Sequence, residues 1–263
     1  MTAAHSRGDD ERRVGRLDPP GAGRKIAPMC GRFLNKLPAA EIARIFDTRN
    51  PLPNYPARFN IAPTDPVLTV RFNPQTKERS LDALRWGLVP HWAKDLKIGS
   101  RMINARAETV ATMPAFRDAF KARRCIIPAS GFYEWQKTGT TKQPYAIVPE
   151  GDPLFAFAGL WENWRDRNAG AGAEWIRTCT VITGKPNELM APIHNRMPVI
   201  LPREAWSTWL EEEQATTEAL LGLLGPYPTE RMRVYSISSR VNSVKNDDAG
   251  LIEPMMATGG VGV

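Results

Sequence analysis

Apolar positions first recur at helical spacing in LPAAEIARIF, Leu37 to Phe46, where Pro38 suits a first turn. The next stretch, NPLPNYPARFNIAPTDP, is too rich in proline for regular structure and reads as an ordered loop wrapping the body. VLTVRF then predicts a strand, Asn73-Pro74 a turn, and RSLDALRWGL a second strand. From Pro114, PAFRDAFKARR reads as a short basic helix, and CIIPASGFYEWQ as strand, break and strand. QPYAIVP, LFAFAGLWENW and TCTVITGKP are further strands, the last ending at Gly184. PREAWSTWLEEEQATTEALLGLL holds two helical stretches, and MRVYSIS is a late strand. Strands interleave irregularly with few helices, and hairpin-length connections dominate. That pattern predicts an α+β fold with a mostly antiparallel, barrel-like sheet and flanking short helices.

With no repeat or linker inside the folded part, the organisation expected is a leader at 1–28, one domain at 29–254 and a loose tail at 255–263. The leader's arginines, acids, glycine and proline predict disorder, and it lacks the apolar core of a secretion signal. A hydrophobic fraction of 42% with eight tryptophans supports a real core. No apolar run approaches the roughly twenty residues of a membrane span, so the expected setting is cytoplasmic. Three widely spaced cysteines, Cys30, Cys125 and Cys179, make neither a disulfide framework nor a zinc pair, which fits a reducing compartment. The net charge of +7 favours anionic partners such as nucleic acid without deciding between them and mere solubility.

Familiar chemistry is missing. There is no phosphate-loop, dinucleotide, zinc-protease or nucleophile-elbow motif, and three histidines (His5, His91, His194) are too few for a histidine metal cage. No metal and no nucleotide cofactor is expected. What remains is a series of polar islands inside apolar strands, placing Asn104, Arg106, Glu134 and His194 among groups that look buried. Buried polar groups demand partners, so these four predict a hydrogen-bonded network, structural or catalytic. Trp86, Trp92, Trp161 and Trp164 are candidates for base platforms or for the core, and Cys125 and Cys179 for inert core positions.

The islands MCGRF, FNIAPT, WGLVPHWAKD, INARAET, GFYEW, HNRMPVIL and VNSVKNDD, in this order from Cys30 to about Pro254, resemble the SRAP family of SOS-response-associated peptidase-like proteins, which process abasic sites in single-stranded DNA. The resemblance implies a monomeric DNA-repair enzyme acting at damaged DNA in the nucleoid. It implies that Cys30, once it is the first residue, captures the abasic aldehyde as a thiazolidine. Glu134 would be the general acid/base, His194 would assist proton transfer, and Asn104 would orient sugar or cysteine. Arg32 and Arg106 would contact phosphates, with Trp86 and Trp92 against bases.

Two departures stand out. With residues 1–28 attached, Cys30 has an amide nitrogen, so the start is at Met29, the leader is cut off, or the crosslinking step is lost; the first is preferred. Asn195 stands where an aspartate is expected after the histidine. Two rivals share these residues: a cysteine peptidase built on Cys30, His194 and Glu134, whose cysteine could also cut its own leader, and a non-enzymatic reader of single-stranded DNA.

Overall fold

The computed structural model describes residues 30–170 and 172–255; the leader expected at 1–28 and the tail beyond Met255 lie outside them. Among these residues the strands are β1 (Phe33–Asn35), β2 (Arg58–Ile61), β3 (Pro66–Asn73), β4 (Glu78–Trp86), β5 (Asn104–Arg106), β6 (Arg124–Ala129), β7 (Gly131–Thr138), β8 (Thr141–Pro149), β9 (Phe155–Trp164), β10 (Ile176–Gly184), β11 (Met197–Pro198) and β12 (Met232–Ser236). Strands β3, β4, β10, β9 and β6 pair in a closed ring. The closing pair β4–β10 is parallel, as is β5 against β10, and the other pairs in the ring are antiparallel. The expected α+β fold with a barrel-like, mostly antiparallel sheet is therefore present. A second, wholly antiparallel sheet runs β2-β1-β7-β8-β12.

Alternation along the strands sorts the side chains. Val67, Leu84, Cys125, Ile127 and Cys179 fill the barrel lumen, where the Thr69 hydroxyl reaches the Cys179 sulfur at 4.0 Å. Phe33, Ile61, Phe132 and Ile147 of the second sheet join the same cluster and close one end of the barrel. Leu68, Val70, Leu81, Ile126 and Leu160 point outward under the short helices. Helix α1 (Ala39–Phe46) buries Ile42 and Phe46 on that surface, each stabilising by about 1.5–3 kcal/mol. The helix ends at Asp47, whose left-handed backbone (φ 52°) lets its N–H bond Ala43 O. The chain passes from barrel to second sheet at Ser130, between β6 and β7. Gly131 is required there, because a Cβ would come within 2.7 Å of the Ile147 carbonyl.

Candidate active site

Cys30 opens the described chain in a turn just before β1, with a left-handed φ of 44° that an L-residue adopts at some cost. The residue is buried. Its backbone N–H donates to Glu134 Oε1 at 2.8 Å, and its thiol to the Arg196 carbonyl at 3.9 Å. The register explains the meeting. Strand β1 lies antiparallel against β7, and Tyr133 N–H donates to Arg32 O, which brings Cys30 beside Glu134 in mid-strand. Glu134 sits only 2% exposed, opposite Tyr145 of β8.

His194 arrives from a turned segment between β10 and β11. Asn187 holds that segment: its side chain accepts from Met190 N and donates to Tyr227 O, and His194 N then bonds Met190 O. The His194 Nδ1 lies 3.2 Å from both the amide and the carbonyl of Arg196. The Arg196 backbone thus touches both the imidazole and the cysteine thiol. Its guanidinium is fixed by a two-pronged pair with Glu108 at 2.6 and 2.9 Å and by the Thr183 carbonyl, and this pairing holds Glu108 below the ordinary carboxylate range.

Burial dominates the electrostatics. It raises the Glu134 carboxyl above its ordinary value, while His194 and the hydrogen bonds from Cys30 pull the other way. It also drives the Cys30 thiol well up, reinforced by the adjacent Glu134 and opposed by Arg196. Both acids therefore favour their neutral forms relative to water.

The pair opens into a groove of about 810 Å³. Glu134, Gly31 and His194 lie along it with Arg32, Trp135 and Lys142, and Arg58, Ala62–Asp65, Asn242 and Val244 complete its walls. The segment VNSVKNDD forms one rim because Asn60, 1% exposed, donates its amide to the carbonyls of Val241, Ser243 and Asn246 at 2.8–3.2 Å. Asp247 adds to this by accepting from Asn60 N and pairing with Arg58.

The expected site residues divide as follows. Glu134, His194 and Arg32 line the groove, and Cys30 lies buried behind Gly31, joined to Glu134. Arg32 is engaged by Asn60 Oδ1, the Val241 carbonyl and the Trp135 ring (5.9 Å), so it braces the rim as well as lining it. Asn104 and Arg106 come from β5, in register with Val181 and Thr183 of β10; Asn104 is partly buried and Arg106 exposed. Arg106 is thus no buried partner of Glu134. Trp92 is 48% exposed in the loop after β4 and remains available for stacking. Trp86 is a correction. It is fully buried, edge-on to Phe33, with its indole N–H donated to Ile103 O at 2.8 Å, so it has no face to offer a base. Arg196, Asn60 and Trp135 were missed as individuals, although each lies inside a motif already noted; a polar Asn between Phe59 and Ile61 was the available signal. Among the described residues no three His, Cys, Asp or Glu side chains converge to hold a metal ion.

The profile of the SOS response associated peptidase (SRAP) family matches residues 29–244. The chain belongs to the SRAP family. Among its SRAP relatives is the abasic site processing protein YoqW of Bacillus subtilis strain 168, 46% identical over 228 residues covering 86% of this chain and 99% of that protein. The abasic site processing protein HMCES of Gallus gallus is 32% identical, covering 86% of this chain and 78% of its own. A crystal structure of a Bacteroides thetaiotaomicron protein superposes with a TM-score of 0.77 at 25% identity, covering 86% of this chain and all of that one. Among the described residues no helix is long and apolar enough to cross a membrane.

Proposed function

We propose that this SRAP protein processes abasic sites in DNA by capturing the lesion on Cys30 when that residue is the N-terminus. The observation carrying this reading is the 2.8 Å approach of the Cys30 nitrogen to the Glu134 carboxylate, with the thiol of the same residue alongside and a groove leading in. Attached to Met29, that nitrogen is an amide and not nucleophilic. As a free α-amine its ordinary pKa is about 8, so a useful fraction is unprotonated at neutral pH.

The ring-opened sugar of an abasic site presents an aldehyde. The amine adds to its carbon, Glu134 accepts the amine proton and returns it to the departing hydroxyl, and water leaves with formation of the imine. The thiol then adds to the imine carbon and its proton passes to nitrogen, closing a five-membered thiazolidine; the overall change is loss of one water. Amine, thiol and carboxyl are held together before the aldehyde arrives, which is where proximity contributes. His194 serves proton transfer in reversal of the adduct and in β-elimination, and Asn104 orients the sugar. Arg32 and Arg106 meet flanking phosphates of a single strand and Trp92 a base. The enzyme acts as a monomer at damaged DNA and uses no nucleotide.

The peptidase reading asks for a thiolate, and therefore for a depressed thiol pKa with a histidine facing the sulfur. Cys30 is shifted the other way, and its sulfur faces a carbonyl. The test is one denaturing gel. The chain is expressed from Met1 and from Met29, and each form is mixed with a single-stranded oligonucleotide bearing one abasic site. The Met29 form should give a denaturant-resistant band that Cys30→Ala abolishes. No band from either form would overturn the capture mechanism.

A further inference from the structure

The barrel has two ends. One is closed by the second sheet; the other is open and basic. Following the lumen-facing positions away from the Cys125–Cys179 layer, three of the ring strands reach a charged residue: Arg71 two positions beyond Thr69 on β3, Asp82 two beyond Leu84 on β4, and Arg177 two beyond Cys179 on β10. Trp161 of β9 stands beside them, and together they line a cavity of about 530 Å³, within the usual range for a small-ligand pocket.

Arg71 is preorganised there. Its Nε and one Nη donate to Asp82 Oδ2 at 3.2 and 2.7 Å, and its guanidinium lies over the Trp161 ring at 4.5 Å. Ser80 donates to the same carboxylate oxygen. Asp82 is thereby committed to the wall, and its carboxyl is held below the ordinary range. The other Nη of Arg71 makes no hydrogen bond to a described residue. Arg79 is fixed by Glu212 and the Phe46 carbonyl. Arg177 is exposed at the rim and, among the described residues, has no carboxylate in ion-pair contact, although its charge acts on Asp82; Arg49 stands nearby on the loop after α1. Four arginines and two carboxylates, Glu78 and Asp82, line the mouth; Arg49 and Arg79 also pair with Asp47 and Glu212, so Arg177 and the outer edge of Arg71 carry the unpaired donors.

We propose that this mouth is a phosphate-binding site, separate from the cysteine groove, with Arg177 and the free edge of Arg71 as its donors. An Arg fork already held flat by a carboxylate and an aromatic ring loses little freedom on meeting a phosphate. The two sites occupy opposite ends of β3: the groove includes Thr64 and Asp65, and the mouth begins at Arg71. Six residues of strand separate them by about 20 Å. The phosphate belongs either to a free phosphate ester or to the backbone of a nucleic-acid strand.

Calorimetric titrations at fixed ionic strength with inorganic phosphate, a deoxynucleoside monophosphate and an undamaged 12-nucleotide strand decide the matter. Wild type should bind phosphate, and Arg177→Ala, at an exposed position with no ion pair to lose, should weaken that binding roughly tenfold or more. Weakening confined to phosphate and mononucleotide identifies a free ester as the ligand, and weakening that extends to the 12-mer identifies a strand; either upholds the site. No phosphate binding by wild type, or three titrations that Arg177→Ala leaves unchanged, overturns it. Neither result bears on whether Cys30 crosslinks an abasic strand, which the gel reads separately.

Discussion

Glu134→Gln separates a catalytic carboxylate from a structural one, because only the catalytic role predicts a large loss of adduct rate without a loss of stability. Glutamine keeps an oxygen able to accept from the Cys30 nitrogen at 2.8 Å but cannot move a proton. Loss of general acid–base catalysis costs about 10²- to 10⁴-fold, or roughly 2.7–5.4 kcal/mol on the barrier. Stability follows from the raised pKa. Burial makes the folded state hold the Glu134 proton more tightly than the unfolded chain does. That contribution is fully present below the ordinary carboxylate pKa of about 4.3 and is lost as pH rises through the higher folded value. As pH rises toward neutrality wild type therefore loses a contribution that the uncharged variant never had to lose. The variant should melt at or above wild type at pH 7.5, with the gap narrowing as pH falls toward 5. Were the linkage absent and the charge-assisted bond from Cys30 merely weakened to a neutral one, the variant would instead lose up to about 1.5 kcal/mol, roughly 3–6 °C for a domain of this size. The assay pairs single-turnover adduct formation, by the chain beginning at Cys30, with scanning calorimetry. Affinity for undamaged single strand should stay within about twofold. An adduct rate within about threefold of wild type would refute the catalytic role, and a lowered melting temperature at pH 7.5 would refute the linkage.

Other substitutions test the frame around it. Asn60→Ala removes a donor from three rim carbonyls, leaves that of Asn246 unpaired and loosens Arg32, so urea unfolding should show a loss of about 1–3 kcal/mol with faster hydrogen exchange across 241–247; a loss under about 0.5 kcal/mol would mean the rim is held otherwise. Trp86→Phe removes one of two donors to the Ile103 carbonyl, the Val181 N–H remaining, and should cost about 0.5–1.5 kcal/mol while single-strand affinity stays within about twofold; normal stability with weakened DNA binding would restore Trp86 to the interface. His194→Gln should slow adduct reversal and strand cleavage at least about tenfold with little change in melting, and wild-type rates for both would make His194 a structural member of its turn.

What was legible in the sequence tracks the length of each periodic run. Strands β3, β4, β9 and β10 each span eight to ten residues, and β3, β9 and β10 are buried on both faces, so they read as long apolar runs bounded by turns. β5 and β11, at three and two residues, are too short to show any period, and β2 lies inside the proline-rich stretch read wholly as loop. Ring closure through the parallel β4–β10 pair joins segments about ninety residues apart, and no local pattern announces it. Within the site, Glu134 was legible as a charge among aromatics, but its partner is 104 residues away. Trp86 misled because an indole flanked by polar and apolar neighbours reads alike whether its N–H meets solvent or, as here, a buried carbonyl.

The neutral thiol of Cys30 bears on the order of events. A free cysteine offers an aldehyde two nucleophiles, and a thiolate, where present, reacts readily. Here burial comes first among the causes that keep sulfur protonated, and the neighbouring Glu134 charge adds to it. The nitrogen, by contrast, already faces a carboxylate able to accept its proton. Under the proposed mechanism the amine therefore attacks first, and the thiol acts only once an imine, more electrophilic than the aldehyde when protonated, lies within reach. The same arrangement spares the thiol from oxidation and from adventitious electrophiles, since reactivity of both kinds follows thiolate character and exposure. If that order holds, a Cys30→Ser chain beginning at residue 30 should still form an imine, trapped by borohydride as a stable amine, while giving no denaturant-resistant adduct without reductant. Failure of the borohydride trap in a folded Cys30→Ser protein would show that sulfur attacks first, and the carboxylate beside the nitrogen would need another explanation.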